Sequence, residues 1–275
     1  MSLLTLEEYI AYEAIHFSTL KYIDKSPADY KWAIEVGRTD TTALLKFRAV
    51  HTAVMEPDVF DERYVVFPGK KRQGKDWDKF AEEHKDHEII KADEKQVILN
   101  MADKVHEHPL ASQIFEEGEA ERAIVWTHKR TGLKMKCRLD WWSKHVLVDL
   151  KNGPVQERLF GAIAAKLKYH VQIAMYDEAL YVETGERPPK KFVVVDPTPP
   201  HHVAVVPVDE EQLRVGRECF EGWLDAVVEC RNSGHWPGPY DDTEMPLVLP
   251  NYVYADDSIE DGTHQIVEGG EEDVG

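Results

Sequence analysis

"CRLDWWSKHVLVDLKNG", residues 137–153, sets two acids and a lysine, Asp140, Asp149 and Lys151, among tryptophans and aliphatic residues. Just upstream, Leu133, Met135, Cys137 and Leu139 alternate with Lys134, Lys136, Arg138 and Asp140. That is the period of a strand with one apolar and one charged face. "ERAIVWTH" precedes it across "KRTG", and "HVLVDLK" follows after a tight turn, so three strands are expected to form an antiparallel meander. In hairpins with two- or four-residue loops, opposed residues differ by an odd number, and diagonal neighbours on one face keep that parity. Asp140 and Asp149 are nine apart and Glu121 precedes Asp140 by nineteen, while Lys151 shares the face of Asp149. Four ionisable groups are therefore expected on one face.

Like charges buried together repel and drive carboxylate pKa values up unless a divalent cation lies between them. Hard oxygen donors suit Mg2+ or Mn2+, and a lysine beside such an ion can orient a water and stabilise charge on a phosphoryl oxygen. D-x-K by itself is short. Ordinary hairpin charges, with Lys151 salt-bridged to a neighbour at the sheet edge, produce the same string.

The rest of the chain is read around this meander. Residues 5–23 have a helical pattern, and Ser26-Pro27 reads as an N-cap with proline at the first helical position. In "DTTALLKFRAVHTAVM" Asp40 is the expected cap, and Leu44, Leu45, Phe47, Val50 and Val54 recur at helical spacing, placing His51 near a helix end. Residues 76–117 carry two further helical patterns broken around His108-Pro109. One long helix is expected over 155–182, then a buried strand "KFVVVD", a proline-rich bend, a strand "HVAVVPV", and a helix opening near Asp209.

The 275 residues carry a net charge of -18, an unpromising total for a nucleic-acid partner. Eight of the acids, and no Lys or Arg, fall within residues 256–275, leaving 33 basic against 43 acidic residues elsewhere. That Gly-rich, acidic stretch is expected to be a disordered tail, residues 251–275, behind one domain over residues 1–250. Local basic runs remain for a groove: Lys70, Lys71, Arg72 and Lys75; Lys134, Lys136 and Arg138; Lys166 and Lys168. The plain alternative for each run is a solvated loop or strand face, which weighs evenly with DNA contact for residues 70–75, and Trp141 and Trp142 are better read as core than as stacking platforms. Three scattered cysteines fit a reducing compartment, and with no leader-like start and no membrane-length apolar window the chain reads as cytoplasmic.

The order of these residues carries a resemblance. D-x8-D-L-K on consecutive strands, an upstream glutamate and a following helix resemble the PD-(D/E)XK nuclease superfamily. "FRAVHTAVMEPDVF" with His51, "KYHVQIAMYDEAL" with Gln172 and Tyr176 spaced as Q-x3-Y, and "SPADYKWA" are similar to the RecE-like (exonuclease VIII type) branch, related to the RecB nuclease domain. The likeness covers residues 15–240, with Asn152 where many relatives have threonine, and the lack of a four-cysteine set argues against the iron–sulfur relatives. It implies an α/β nuclease core: a central mixed sheet, the meander plus further strands, flanked by helices behind a helical N-terminal part. It implies two Mg2+ per site, replaceable by Mn2+, one on Asp140, Asp149 and the Leu150 carbonyl, the other on His51 and Asp140. Glu121 would be a further ligand or hold a metal-bound water, Lys151 would position or activate the water, Gln172 and Tyr176 would position substrate by orienting the DNA strand or the active-site carboxylates, and Arg138 and Lys168 would bind substrate. The activity implied is 5′ to 3′ digestion of double-stranded DNA ends, leaving 3′ tails for a single-strand annealing recombinase in recombination and repair, by a ring-shaped homo-oligomer such as a tetramer of phage or prophage type. A RecB-like nuclease with endonuclease or single-strand preference, and an inactive DNA-binding assembly protein, are the alternatives.

Overall fold

Burial of the meander's apolar face organises the chain. The computed structural model describes residues 5–37 and 41–249. Five helices come first: α1 (Leu6–Ala11), α2 (Phe17–Leu20), α3 (Pro27–Val36), α4 (Thr42–Met55) and α5 (Phe60–Arg63). Then follow β1 (Tyr64–Phe67), α6 (Lys75–Glu83), β2 (Glu88–Lys91), α7 (Ala92–Glu107) and α8 (Pro109–Phe115). The meander is β3 (Glu119–Thr127), β4 (Lys134–Trp142) and β5 (Leu147–Asn152). The chain continues through α9 (Glu157–Leu167), α10 (Tyr169–Thr184), β6 (Lys190–Val195), β7 (Val203–Val208) and α11 (Glu210–Ser233).

The main sheet has the order β3-β4-β5-β6-β7; β5 and β6 run parallel and every other neighbouring pair antiparallel. The helical connection α9–α10 supplies the crossover that a parallel pair requires. One face of the sheet, with Met135, Cys137, Leu139 and Leu147, packs on Ile173 and Met175 of α10 and Phe220 of α11. The other, with Val148, Leu150 and Val193, packs on Val50 of α4 and Ile98 and Met101 of α7. The mixed sheet flanked by helices agrees with the expected class. Residues 240–249 belong to a second contact unit beginning at Tyr240 and carry turns and bends only. The expected acidic tail, residues 251–275, lies outside the described residues, and among those that are described no helix is long and apolar enough to cross a membrane.

Several local readings hold for their stated reasons. Ser26 caps α3 by accepting from the Asp29 N–H, with Pro27 at the first helical position. Asp209 and Gln212 form a capping box at α11. Trp141 and Trp142 are buried. Other readings are corrected. Thr41, rather than Asp40, caps α4 through its hydroxyl, and Asp40 lies outside the described residues. The helical pattern over residues 5–23 is broken between α1 and α2, because Ile15 pairs with the edge of β4: its N–H donates to the Lys134 carbonyl at 2.9 Å and its carbonyl accepts from the Lys136 N–H at 2.8 Å. β1 and β2 form a separate parallel pair where no strand is read from the sequence.

The single long helix is two. Lys168 turns into the left-handed region (φ 61°) between α9 and α10. Burial explains the break: α9 buries only Phe160, whereas α10 buries residues on all sides between the sheet and α11. One straight axis cannot serve both. Asp177 then ties α10 to the start of β6 through Lys190, 2.5 Å away, and Arg187.

Candidate metal centre

The meander departs from regular alternation where its acids stand. Cys137 and Leu139 face α10, but Trp141 packs on the opposite core and Trp142 returns to the α10 side, so the parity slips beside Asp140. Across the ladder, Ala120 pairs with Trp141 and Arg122 with Leu139, while Glu121 adopts φ 53°, a strained value for a residue with a side chain. The kink frees Asp140 to bend toward β5, where its Oδ2 accepts the Leu150 N–H at 2.8 Å.

α4 brings His51 to the same spot. The ring is buried against Phe47 one turn earlier (centroids 4.2 Å apart), and Nε2 lies 3.1 Å from the Leu150 carbonyl oxygen. A carbonyl only accepts, so Nε2 carries the ring proton and donates it. Nδ1 is then a bare lone pair, and it faces Asp140 Oδ2 at 3.6 Å. Two acceptors confront each other with Glu121 beside them; ligand atoms of His51, Glu121 and Asp140 all lie within 4.8 Å of one another. Arg138 holds Glu121 at 2.5 Å.

Asp149 and Lys151 form the adjoining half. The Lys151 Nζ stands 2.5 Å from Asp149 Oδ2 and donates to Gln172 Oε1 at 3.0 Å. Gln172 Nε2 donates to Asp149 Oδ1 at 3.3 Å and to the Tyr176 hydroxyl at 2.8 Å. The expected contribution of Gln172 and Tyr176 therefore takes a definite form: they fix the carboxylate and the ammonium relative to one another.

Electrostatics follow from burial. Burial lifts Asp149 to about 7, with Asp140 adding to the rise and Lys151 opposing it. Asp140 is likewise raised by burial, against the pull of Lys151 and the Leu150 N–H, and Glu121 is raised by burial against Arg138. Burial lowers His51 to about 4, against the acids around it, which keeps the imidazole neutral. For Lys151, burial favours the neutral amine, but Asp149 and Asp140 outweigh it and hold the ammonium. Three acids against Lys151 and Arg138 leave one net negative charge when all are ionised. The donor set of one neutral imidazole and several hard oxygens fits a divalent cation such as Mg2+ or Mn2+.

The cluster opens into a cavity of about 450 Å³ lined by Arg48, Arg63, His51, Arg138 and Glu121 among others. Arg48 and Arg63 escaped the sequence reading because basic residues on a helix look like solvated surface. Two expected contributors have their ammonium groups engaged elsewhere. Lys168, the left-handed break residue, pairs with Asp24 at 2.9 Å and does not share the stripe of Gln172 and Tyr176. Lys136 does reach the cavity wall, but it is buried and its ammonium is spent on the carbonyls of Tyr9, Ile10 and Tyr12 at 2.8–3.3 Å, anchoring the N-terminal segment. In the 70–75 loop, Arg72 is likewise engaged, gripping Glu94 with both amino groups at 2.9 and 2.5 Å.

A second group, His128 with Glu178 and Glu221, has comparable spacing but different chemistry. His128 Nδ1 accepts from the Thr131 N–H (3.4 Å) and hydroxyl (2.8 Å), so Nε2 bears the proton and donates to Glu221 at 3.2 Å. A protonated ring nitrogen is no metal ligand, and Arg130 already grips Glu221.

The comparisons with known proteins bear on the family and the fold. No curated protein matches the chain. Among solved structures, the crystal structure of a "putative exonuclease" from Eubacterium rectale superposes with a TM-score of 0.65 at 14% identity, covering 94% of this chain and 100% of the other. At that identity the likeness is one of fold. A family model described as a PDDEXK-like domain of unknown function (DUF3799) matches residues 16–245, which spans the meander, the His51 helix and α10. With those residues inside the matched span and gathered at one kinked step of the sheet, the chain belongs to the PDDEXK-like family DUF3799, and its fold is that of the PD-(D/E)XK nuclease superfamily.

Proposed function

We propose that this protein is a Mg2+-dependent DNA nuclease, and specifically an exonuclease that digests double-stranded ends in the 5′ to 3′ direction. Its product would be a 3′ single-stranded tail for an annealing recombinase, and the working form a homo-oligomeric ring. The family and the shared fold support a nuclease. One observation carries the metal-dependent reading: the unprotonated Nδ1 of His51 faces a carboxylate oxygen of Asp140 at 3.6 Å with Glu121 alongside. With neither a cation nor a proton between them these groups repel.

A divalent ion held by His51, Glu121 and Asp140, with Asp149 and the Leu150 carbonyl as further oxygen donors, would supply positive charge against the charge developing on a phosphoryl oxygen. The protein's own groups do the rest. The net negative charge of the acid cluster becomes net positive with such an ion, which strengthens the attraction of a phosphodiester to the loaded site. Lys151 presents a fixed ammonium beside the carboxylates, where it can orient a water and meet charge on the phosphate. Gln172 keeps that ammonium and Asp149 in register. Arg138, about one-third exposed, can turn its guanidinium from Glu121 to a phosphate oxygen.

The deciding assay uses linear and covalently closed DNA, end-labelled at either terminus, with Mg2+, with EDTA, and with a Lys151→Ala variant. Linear DNA is expected to shorten from its 5′ ends while circles survive, and both EDTA and the substitution stop the reaction. Digestion indifferent to EDTA and to Lys151→Ala refutes the site. Cutting of closed circles refutes the exonuclease reading alone.

A further inference from the structure

We infer that Tyr169 is a positioning residue for Lys151, its ring serving as the third wall of the socket that aims the ammonium. The inference rests on the nuclease reading and adds a residue to that site. Lys151 is buried, 5% exposed, so its ammonium cannot rely on water. An ammonium has three N–H groups. One donates to Gln172 Oε1 at 3.0 Å, and the ammonium is ion-paired with Asp149 Oδ2 at 2.5 Å. On the remaining side Nζ sits 4.2 Å from the centroid of the Tyr169 ring.

The ring suits this place better than an oxygen would. A π face attracts a cation but takes no proton from it, so the ammonium stays a donor and is held in direction. A further carboxylate would deepen the negative charge where a phosphate must enter. The ring is itself fixed: Phe160 and Phe192 flank it at centroid distances of 6.2 and 5.9 Å. It belongs to the first turn of α10, so Tyr169, Gln172 and Tyr176 form one stripe at i, i+3 and i+7. The left-handed turn at Lys168 starts that helix, and the Lys168 carbonyl accepts the Gln172 N–H at 3.0 Å. The break between α9 and α10 thus sets where both the ring and the glutamine stand.

The test compares Tyr169→Phe, which keeps the face and loses the hydroxyl, with Tyr169→Leu, which fills space without a π face. In the nuclease assay with Mg2+, kcat is expected to fall about 10- to 30-fold in the leucine variant, with KM nearly unchanged, and to stay within about 3-fold of wild type in the phenylalanine variant. Thermal melting of both variants separates this from loss of fold. A readout independent of turnover is the ε-methylene resonance of Lys151 in protein carrying isotope-labelled lysine, assigned through Lys151→Arg. Ring current should shift it upfield in wild type and Tyr169→Phe and leave it unshifted in Tyr169→Leu. A leucine variant as fast as wild type, a phenylalanine variant as slow as leucine, or an unshifted wild-type resonance overturns the role of the ring. A wild type that cuts no DNA overturns the nuclease reading, and the role in turnover falls with it.

Discussion

Asp149 and His51 belong to one buried cluster and have opposite titration behaviour, and the difference is measurable. Asp149 is lifted by burial from 3.8 to about 7, so its neutral form is favoured in the folded chain. With metal chelated, its contribution to stability is lost as pH rises from about 4 through about 7. His51 is lowered by burial from 6.5 to about 4, so its contribution runs the other way and grows from pH 4 to pH 6.5. The two offset below pH 6.5, and above it the carboxylate alone remains. The melting temperature in EDTA is expected to decline between about pH 6.5 and 8, and Asp149→Asn should flatten that decline. Mg2+ should raise the melting temperature more at about pH 8 than at about pH 5.5, since it needs ionised carboxylates; calorimetric scans check both. In turnover, Asp149→Asn should lower kcat by roughly 10²- to 10³-fold or more, and Lys151→Arg should not restore the lysine's function, because the planar fork does not match a socket built for a point charge.

The elements set how closely the site's carriers approach. α10 carries Tyr169, Gln172 and Tyr176, and it is pressed onto the sheet by α11. Gly216 of α11 makes this possible: a Cβ there would stand 2.2 Å from the His170 carbonyl oxygen and 3.1 Å from the Ala174 Cβ. Gly216→Ala must push the helices apart, at a cost of about 1–3 kcal/mol. It should also reduce activity, because α10 moves with its stripe. Gly222, six residues along the same helix, meets nothing within 4 Å. Gly222→Ala should instead stabilise by about 0.5–1 kcal/mol through helix propensity alone. Denaturant titration of the two variants measures both signs in one element.

For the whole molecule, the proposed function poses the question of how an acidic protein would handle DNA. Residues 251–275 contribute eight acids and no Lys or Arg to a net charge of -18. A chain ending at residue 250 should keep its melting temperature and its activity at saturating DNA. Its KM for DNA should fall at low ionic strength and converge with that of the full chain near 0.5 M salt, as screening removes the repulsion. A salt-independent difference would mean a direct contact made by the tail.

Legibility followed the range of the interactions. Strand alternation, helix caps and the odd spacing of Glu121, Asp140 and Asp149 are local and periodic, and the meander, the sheet class and the gathering of these acids could be read from them. The reading used regular parity; the structure reaches the same meeting through a kink at Glu121 that no period encodes. β1 and β2 have four residues each, too few to show a pattern, and they exist because they pair with each other. Lys136 and Lys168 look like surface charges in the string, and only the chain packed beside them turns one to buried carbonyls and the other to Asp24. Tyr169 stood three residues before Gln172, but its service to Lys151 depends on the break at Lys168, which burial of α9 and α10 along different axes imposes. The residues able to do chemistry were thus fixed in kind and order by the string itself. Their aim was decided by tertiary packing, because direction is set by neighbours distant in the chain, 99 positions away in the case of His51 and Leu150, and no local period reports on them.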